Sequence, residues 1–75
     1  MRARSRFLWS TIAFVALRNK PVVDPSTLIE YLPIGTELTI IEPGGEKKIG
    51  VNNQWLHVRG KLGTEGYIAA WFVAR

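Results

Sequence analysis

The chain has 75 residues, of which 47% are hydrophobic and 21% are charged, so it holds one domain with a small core. It contains no cysteine, which excludes disulfides and both redox and thiolate zinc chemistry. The formal net charge is +4, and Arg2, Arg4 and Arg6 supply three of the ten basic residues. Residues 7 to 75 therefore carry seven basic against six acidic side chains. A nucleic-acid interface on this nearly neutral body would need its basic residues clustered on one face.

The start of the chain imitates a secretory signal. A basic segment precedes a largely apolar run over residues 7 to 17, but cleavage after Ala16 would place Phe14 where a small residue is needed. The run is also shorter than the about 20 apolar residues that cross a bilayer, so we predict no membrane span. We interpret residues 1 to 10 as a basic arm or linker. Residues 11 to 17, rich in β-branched and aromatic side chains, are predicted as the first strand.

The middle of the chain is predicted to contain one long loop and one strand. Turn-forming residues dominate residues 18 to 30, and two prolines there remove ladder donors, so we expect an irregular loop. A turn at Gly35 then leads into a strand over residues 37 to 42. Leu38 and Ile40 share one face of that strand, as a half-buried strand requires.

The second half is predicted to begin with a loop over residues 46 to 53. Two strands follow, over residues 54 to 59 and 65 to 68, and a tight hairpin connection over residues 60 to 63 joins them. One turn of helix over residues 69 to 71 then leads into a closing strand over residues 72 to 75. Alternation turns Leu56 and Val58 inward and Trp55, His57 and Arg59 outward. Because no segment keeps a helical period over ten residues, we predict one all-β domain over residues 11 to 75.

Four stretches occur in an order that is typical of a known small barrel: Val15-Ala16-Leu17-Arg18 with Pro21, Leu32-Pro33-Ile34-Gly35-Thr36, Trp55-Leu56-His57-Val58-Arg59, and Gly66 to Val73. In this order they resemble the bacterial SH3 (SH3b-like) domain family. The resemblance implies a five-stranded SH3-like barrel with a one-turn 3₁₀ helix before the last strand. Eukaryotic relatives have tyrosines and a proline where this chain has Arg18, Lys20 and Ala69, which disfavours proline-rich ligands.

What the resemblance implies for function is a non-catalytic binding module. Its ligand would be cell-wall peptidoglycan or a peptide, and it would target a larger exported or surface protein. Trp55 matches the groove tryptophan of the family, Tyr67 an aromatic residue on the following strand, and Phe72 the tyrosine of the short helix. We add Tyr31, at the end of the long loop, as a fourth candidate ligand-binding residue. No cofactor is implied.

Each of these aromatic residues also has a structural interpretation. An outward indole at Trp55 suits stacking on a peptide or a sugar, and we favour this over the alternative that it shields the rim of the barrel. Tyr67 and Phe72 are also explained as partly buried packing residues. For Tyr31 the two interpretations are balanced, and Trp71 could be a cap on the core or an exposed contact.

Two other functions stay open, and catalysis is not predicted. The arginines of the arm, together with Lys47, Lys48, Arg59 and Lys61, could hold nucleic-acid phosphates. The domain could also be structural and pack on a neighbouring domain. Catalysis has little to use, since the single histidine lies on the outward side of a strand and the acidic residues lack the spacing of a metal or acid–base pair.

Overall fold

The computed structural model describes residues 9 to 60 and 62 to 74 and is all-β, as predicted. The strands of these residues are β1 (Trp9–Thr11), β2 (Val15–Arg18), β3 (Leu28–Leu32), β4 (Glu37–Ile40), β5 (Trp55–Gly60), β6 (Glu65–Ala69) and β7 (Val73–Ala74). Three 3₁₀ helices of a single turn accompany them in the described ranges: η1 (Pro25–Thr27), η2 (Gly45–Lys48) and η3 (Ala70–Phe72). None of these helices is long and apolar enough to cross a membrane.

The seven strands form one antiparallel sheet in the order β3-β2-β6-β5-β4-β1-β7. In the described part of the chain β3 and β7 do not pair with each other, so the ladder is open. The predicted five-stranded barrel is therefore wrong in its strand number and in its closure. The predicted one-turn 3₁₀ helix before the last strand is confirmed as η3.

The difference in strand number begins with the predicted first strand, which divides into β1 and β2. The chain changes partners here, because β1 pairs with β4 and β7 whereas β2 pairs with β3 and β6. Residues 12 to 14 make the bend, with Ile12 and Phe14 exposed. Trp9 and Ser10, which the sequence assigned to the arm, lie in β1, and Trp9 is buried in the core. Residues 1 to 8 lie outside the described residues.

The core lies on one face of this single sheet. Every strand contributes to it, and its buried members are Trp9, Val15, Leu17, Leu32, Leu38, Leu56, Val58, Ile68, Ala70 and Val73. Since the described residues include no helical layer that could cover the sheet, the sheet buries this face by curving round its own side chains. The predicted inward positions of β5 are confirmed, because Leu56 and Val58 are both 0% exposed.

Hydrogen bonds to Thr11 hold the connection between β3 and β4 against the sheet. The predicted turn at Gly35 is present, with φ +85, and the Gly35 N–H donates to the Thr11 carbonyl at 2.8 Å. The buried Thr11 hydroxyl donates to the Pro33 carbonyl at 2.8 Å and accepts from the Thr36 N–H at 3.0 Å. A threonine in β1 thus fixes the turn that starts β4.

The predicted loop over residues 18 to 30 is shorter than expected, because β3 begins at Leu28. Its tip is organised round Thr27, which is 5% exposed and whose hydroxyl lies 2.9 Å from the Val22 carbonyl oxygen and 2.7 Å from that of Asp24. The Asp24 carboxylate caps η1 by accepting the N–H and the hydroxyl of Ser26, each at 2.8 Å. The second predicted loop, residues 46 to 53, holds most of η2.

Of the two glycines in the described strands, Gly66 has less room for a side chain than Gly60. A Cβ there would lie 2.7 Å from the Arg18 carbonyl oxygen and 2.9 Å from a Leu17 methyl carbon. We expect Gly66→Ala to push β6 away from β2 and to lower the free energy of unfolding by about 1–3 kcal/mol. Urea unfolding measures this loss.

The matched control is Gly60→Ala, because a Cβ at Gly60 would meet its nearest atom, the Thr64 carbonyl oxygen, at 3.8 Å. We expect that variant to stay within about 1 kcal/mol of the wild type. Equal unfolding midpoints for the two variants would contradict the close approach of β2 and β6.

Candidate functional site

Two clefts of different chemistry meet at Trp55. The aromatic cleft has a volume of about 160 Å³, and the lining residues that matter here are Phe14, Arg18, Val23, Trp55, Trp71 and Phe72. The polar cleft lies on the other side of Trp55 and has a volume of about 420 Å³. Besides Trp55, its lining includes Pro21, Glu42, Lys48, His57 and Tyr67. Trp55 is therefore the wall between an apolar and a polar surface.

The position of Trp55 follows from the alternation along β5. Because Leu56 and Val58 point into the core, Trp55 faces outward, and its side chain is half-buried. η3 places Trp71 edge-on to it, with ring centroids 6.2 Å apart and an interplanar angle of 76°. Phe72 continues the row at 5.6 Å from Trp71. This row of three rings forms one wall of the aromatic cleft.

The polar cleft contains an ion pair whose partners are already satisfied within the protein. The Lys48 ammonium lies 2.8 Å from Glu42 Oε2 and donates to the Trp55 carbonyl at 3.1 Å. The other Glu42 oxygen accepts the His57 backbone N–H at 2.8 Å. Burial raises the pKa of the Glu42 carboxyl, but the hydrogen bonds from Lys48 and His57 outweigh burial and lower this pKa below its usual value. The His57 ring stacks on Tyr67, with centroids 4.6 Å apart.

A third cleft, the loop cleft, lies against the long loop. It has a volume of about 230 Å³, and its lining includes Arg18, Val23, Asp24 and Tyr31. Tyr31 also stacks on Phe14, with ring centroids 5.2 Å apart and planes within 11°. Since Arg18 and Val23 line both the loop cleft and the aromatic cleft, the two surfaces are continuous.

The four residues predicted to bind ligand do not share one groove. Trp55 and Tyr67 line the polar cleft, Trp55 and Phe72 line the aromatic cleft, and Tyr31 lines the loop cleft. Phe72 ends η3 and does not begin the closing strand. Their roles in binding stay predictions.

Sequence reasoning missed Phe14 and Arg18 as site residues, and it left Trp71 undecided. A signal for the first two was present in the chain. Because Val15 and Leu17 alternate inward on β2, Phe14, Ala16 and Arg18 lie on the outward side, and all three line the aromatic cleft.

The basic residues proposed for nucleic acid are partly neutralised by carboxylates. Arg59 donates from Nη2 to Glu65 Oε2 at 3.1 Å, and Lys48 is paired with Glu42. Lys47 is exposed on η2. Lys61 and the arginine arm lie outside the described residues, so their part of that hypothesis stays a prediction.

The described residues contain no group of three histidine, cysteine or acidic side chains that could hold a metal ion. Comparisons with protein-family models, with curated proteins and with solved structures yield no match. The function is therefore argued from the chemistry of the three clefts. The clefts combine aromatic faces with polar and charged side chains, which suits binding.

Glu42 predicts a pH dependence of stability. Its pKa is lower in the folded protein than its ordinary value of 4.5, so the carboxylate stabilises the fold above that value, and the stabilisation is lost as the pH falls through the folded pKa. We expect Glu42→Gln to be less stable than the wild type at pH 7. The difference should shrink as the pH is lowered toward 3, as measured by urea midpoints across this range.

Glu46→Gln is the matched control, since Glu46 is an exposed carboxylate on η2. This variant should lose stability below pH 4.5 in the same way as the wild type. If the wild type and Glu42→Gln lost stability in parallel on acidification, the role given to the Lys48 and His57 hydrogen bonds would be wrong.

Proposed function

We propose that the protein is a non-catalytic binding module with an SH3-like fold. The order of its elements supports this kinship. A β2–β3 hairpin with a long loop is followed by the β4-β5-β6 meander and by one turn of 3₁₀ helix before the last strand. The open ladder and the divided first strand are departures from the five-stranded pattern, and the bend that divides the strand places Phe14 in the lining of the aromatic cleft.

The observation that carries the binding function is the exposure of aromatic rings round Trp55. Phe14 is 65% and Tyr31 53% exposed, and both lie on the surface that continues from the Trp55–Trp71–Phe72 row. Aromatic rings bind extended peptides well, because they offer a large contact area and lose little conformational entropy. The continuous path from the loop cleft through the aromatic cleft to Trp55 suits a chain rather than a compact ligand.

The ligand that fits this surface best is a short peptide. The aromatic cleft holds about 160 Å³, which suits one small side chain or a chain terminus. In the proposal this peptide belongs to bacterial peptidoglycan, and the module holds a larger exported or surface protein on the cell wall. This assignment to the wall rests on the SH3-like resemblance, whereas the peptide chemistry rests on the clefts.

Trp55→Ala tests the proposed function. Removing the indole takes away the wall that the two clefts share, so we expect retention on purified insoluble peptidoglycan to weaken at least about thirtyfold, as for a central hot-spot residue of about 2 kcal/mol. The measurement is a sedimentation assay across protein concentrations. Urea unfolding of the same variant shows whether the fold is kept.

Leu62→Ala is the matched control, because Leu62 is 97% exposed and lines a separate cleft with Leu17, Leu32 and Leu38. It should bind the wall like the wild type. Unchanged retention of Trp55→Ala would refute the proposed site. Binding to duplex DNA alone, with an affinity that falls steeply with salt, would favour the nucleic-acid hypothesis instead.

A further inference from the structure

Arg18 lies where the aromatic cleft and the loop cleft meet, and its guanidinium is held in place by the long loop. Its Nη1 donates to the Asp24 backbone carbonyl at 2.8 Å and to the Thr27 hydroxyl at 3.2 Å. Both acceptors are neutral. Thr27 is itself buried and bonded to the loop backbone, so the guanidinium is positioned before any ligand arrives.

The charge of Arg18 is not neutralised by an ion pair with any described residue. The ion pairs of the described ranges join Lys48 with Glu42 and Arg59 with Glu65. The Asp24 carboxylate interacts electrostatically with Arg18 but forms no ion pair with it. Nε and Nη2 of Arg18 also donate to no described acceptor. A guanidinium has five donors in a fixed fork that matches a carboxylate, and here most of that fork is left for a ligand.

The aromatic cleft offers donors and a cation but no side-chain acceptor. Arg18 is the one charged side chain among its described lining residues, and the others are valine, alanine and aromatic side chains. Trp55 and Trp71 each carry an indole N–H, and neither donates to a described residue. Apolar walls lower the local dielectric and strengthen a charge-assisted hydrogen bond to a bound anion.

The neighbouring clefts are less suited to an anion. In the polar cleft the Lys48 charge is balanced by Glu42 at 2.8 Å. In the loop cleft Asp24 adds a negative charge to the lining, although its carboxylate is occupied by Ser26. An acidic group of the ligand is therefore directed to the aromatic side of Arg18.

We propose that Arg18 is a specificity-determining residue that binds a carboxylate of the ligand in the aromatic cleft. This inference rests on the proposed function and narrows its ligand to a peptide that carries a free carboxylate beside small apolar groups. The carboxylate can come from the C-terminus of the peptide or from an acidic side chain. The two sources share the same chemistry at Arg18, and the test separates them.

The test uses four N-acetylated tetrapeptides: tetra-alanine with a free C-terminus, its C-terminal amide, and two further amides in which glutamate or glutamine replaces the third alanine. Binding is followed by NMR titration of the indole N–H signals up to millimolar peptide. We expect one carboxylate peptide to bind about 10- to 150-fold more tightly than its neutral partner, as a charged hydrogen bond of about 1.5–3 kcal/mol implies. Preference for the free C-terminus identifies a chain end, and preference for glutamate over glutamine identifies a side chain.

Arg18→Gln should abolish this preference, so that the carboxylate and neutral peptides bind this variant with equal affinity. Arg18→Lys keeps the charge but loses the fork, so it should keep only part of the preference. Lys20→Gln is the matched control, because it removes an equal charge two residues away, at an exposed side chain that lines none of the three clefts. It should keep the full preference.

Because Arg18 also supports the loop, the comparison of ligands on the wild-type protein decides the question even if the variants unfold. Equal affinity for carboxylate and neutral peptides, or no shift with any of the four, would overturn the assignment of Arg18. Trp55-dependent retention on peptidoglycan would in that case still support the proposed function. Retention that does not depend on Trp55, together with a carboxylate preference, would support Arg18 and refute the wall-binding site.

Discussion

The alternation of side chains along β5 and β6 is the constraint on which the rest of the molecule depends. Leu56, Val58 and Ile68 are each 0% exposed, and the register pairs Leu56 with Ile68 across the two strands. Trp55 and Tyr67 must then lie on the opposite face. A slip of one residue in this pairing would expose the core residues and turn Trp55 and Tyr67 inward. The same register therefore places the core residues on one face of the sheet and the candidate site residues on the other.

The parts of the fold that were predictable are those that short-range patterns determine. Alternation within β5, the turn at Gly35 and the one-turn helix before β7 all depend on neighbouring residues. The division of the first strand at residues 12 to 14 depends on which distant strands its two halves pair with, and no local pattern reports that. β3 was missed because it is an edge strand with three exposed residues in its middle, so it lacks the alternation of a half-buried strand.

The candidate site was predictable to the same extent. Trp55 and Tyr67 were identifiable because they alternate with core residues on paired strands, where His57 and Tyr67 are direct cross-strand partners. The sequence could not predict that Tyr31 and Trp55 line different clefts, because this depends on how the long loop lies across the sheet. Arg18 was not recognised as a site residue because the sequence does not show the loop carbonyl and the hydroxyl that hold its guanidinium.

The basic side chains of this surface differ in whether they form an ion pair within the protein, and this difference decides which of them is available to a ligand. Lys48 and Arg59 each meet a carboxylate of the protein, at 2.8 and 3.1 Å, and such pairs leave little net field for a ligand. Arg18 donates hydrogen bonds only to neutral acceptors among the described residues and forms no ion pair with them, although its charge interacts at longer range with the Asp24 carboxylate. A loop that holds a cation by a backbone carbonyl and a buried hydroxyl keeps it charged and oriented. Nε and Nη2 of the guanidinium, which donate to no described acceptor, stay available to an anion that arrives from outside.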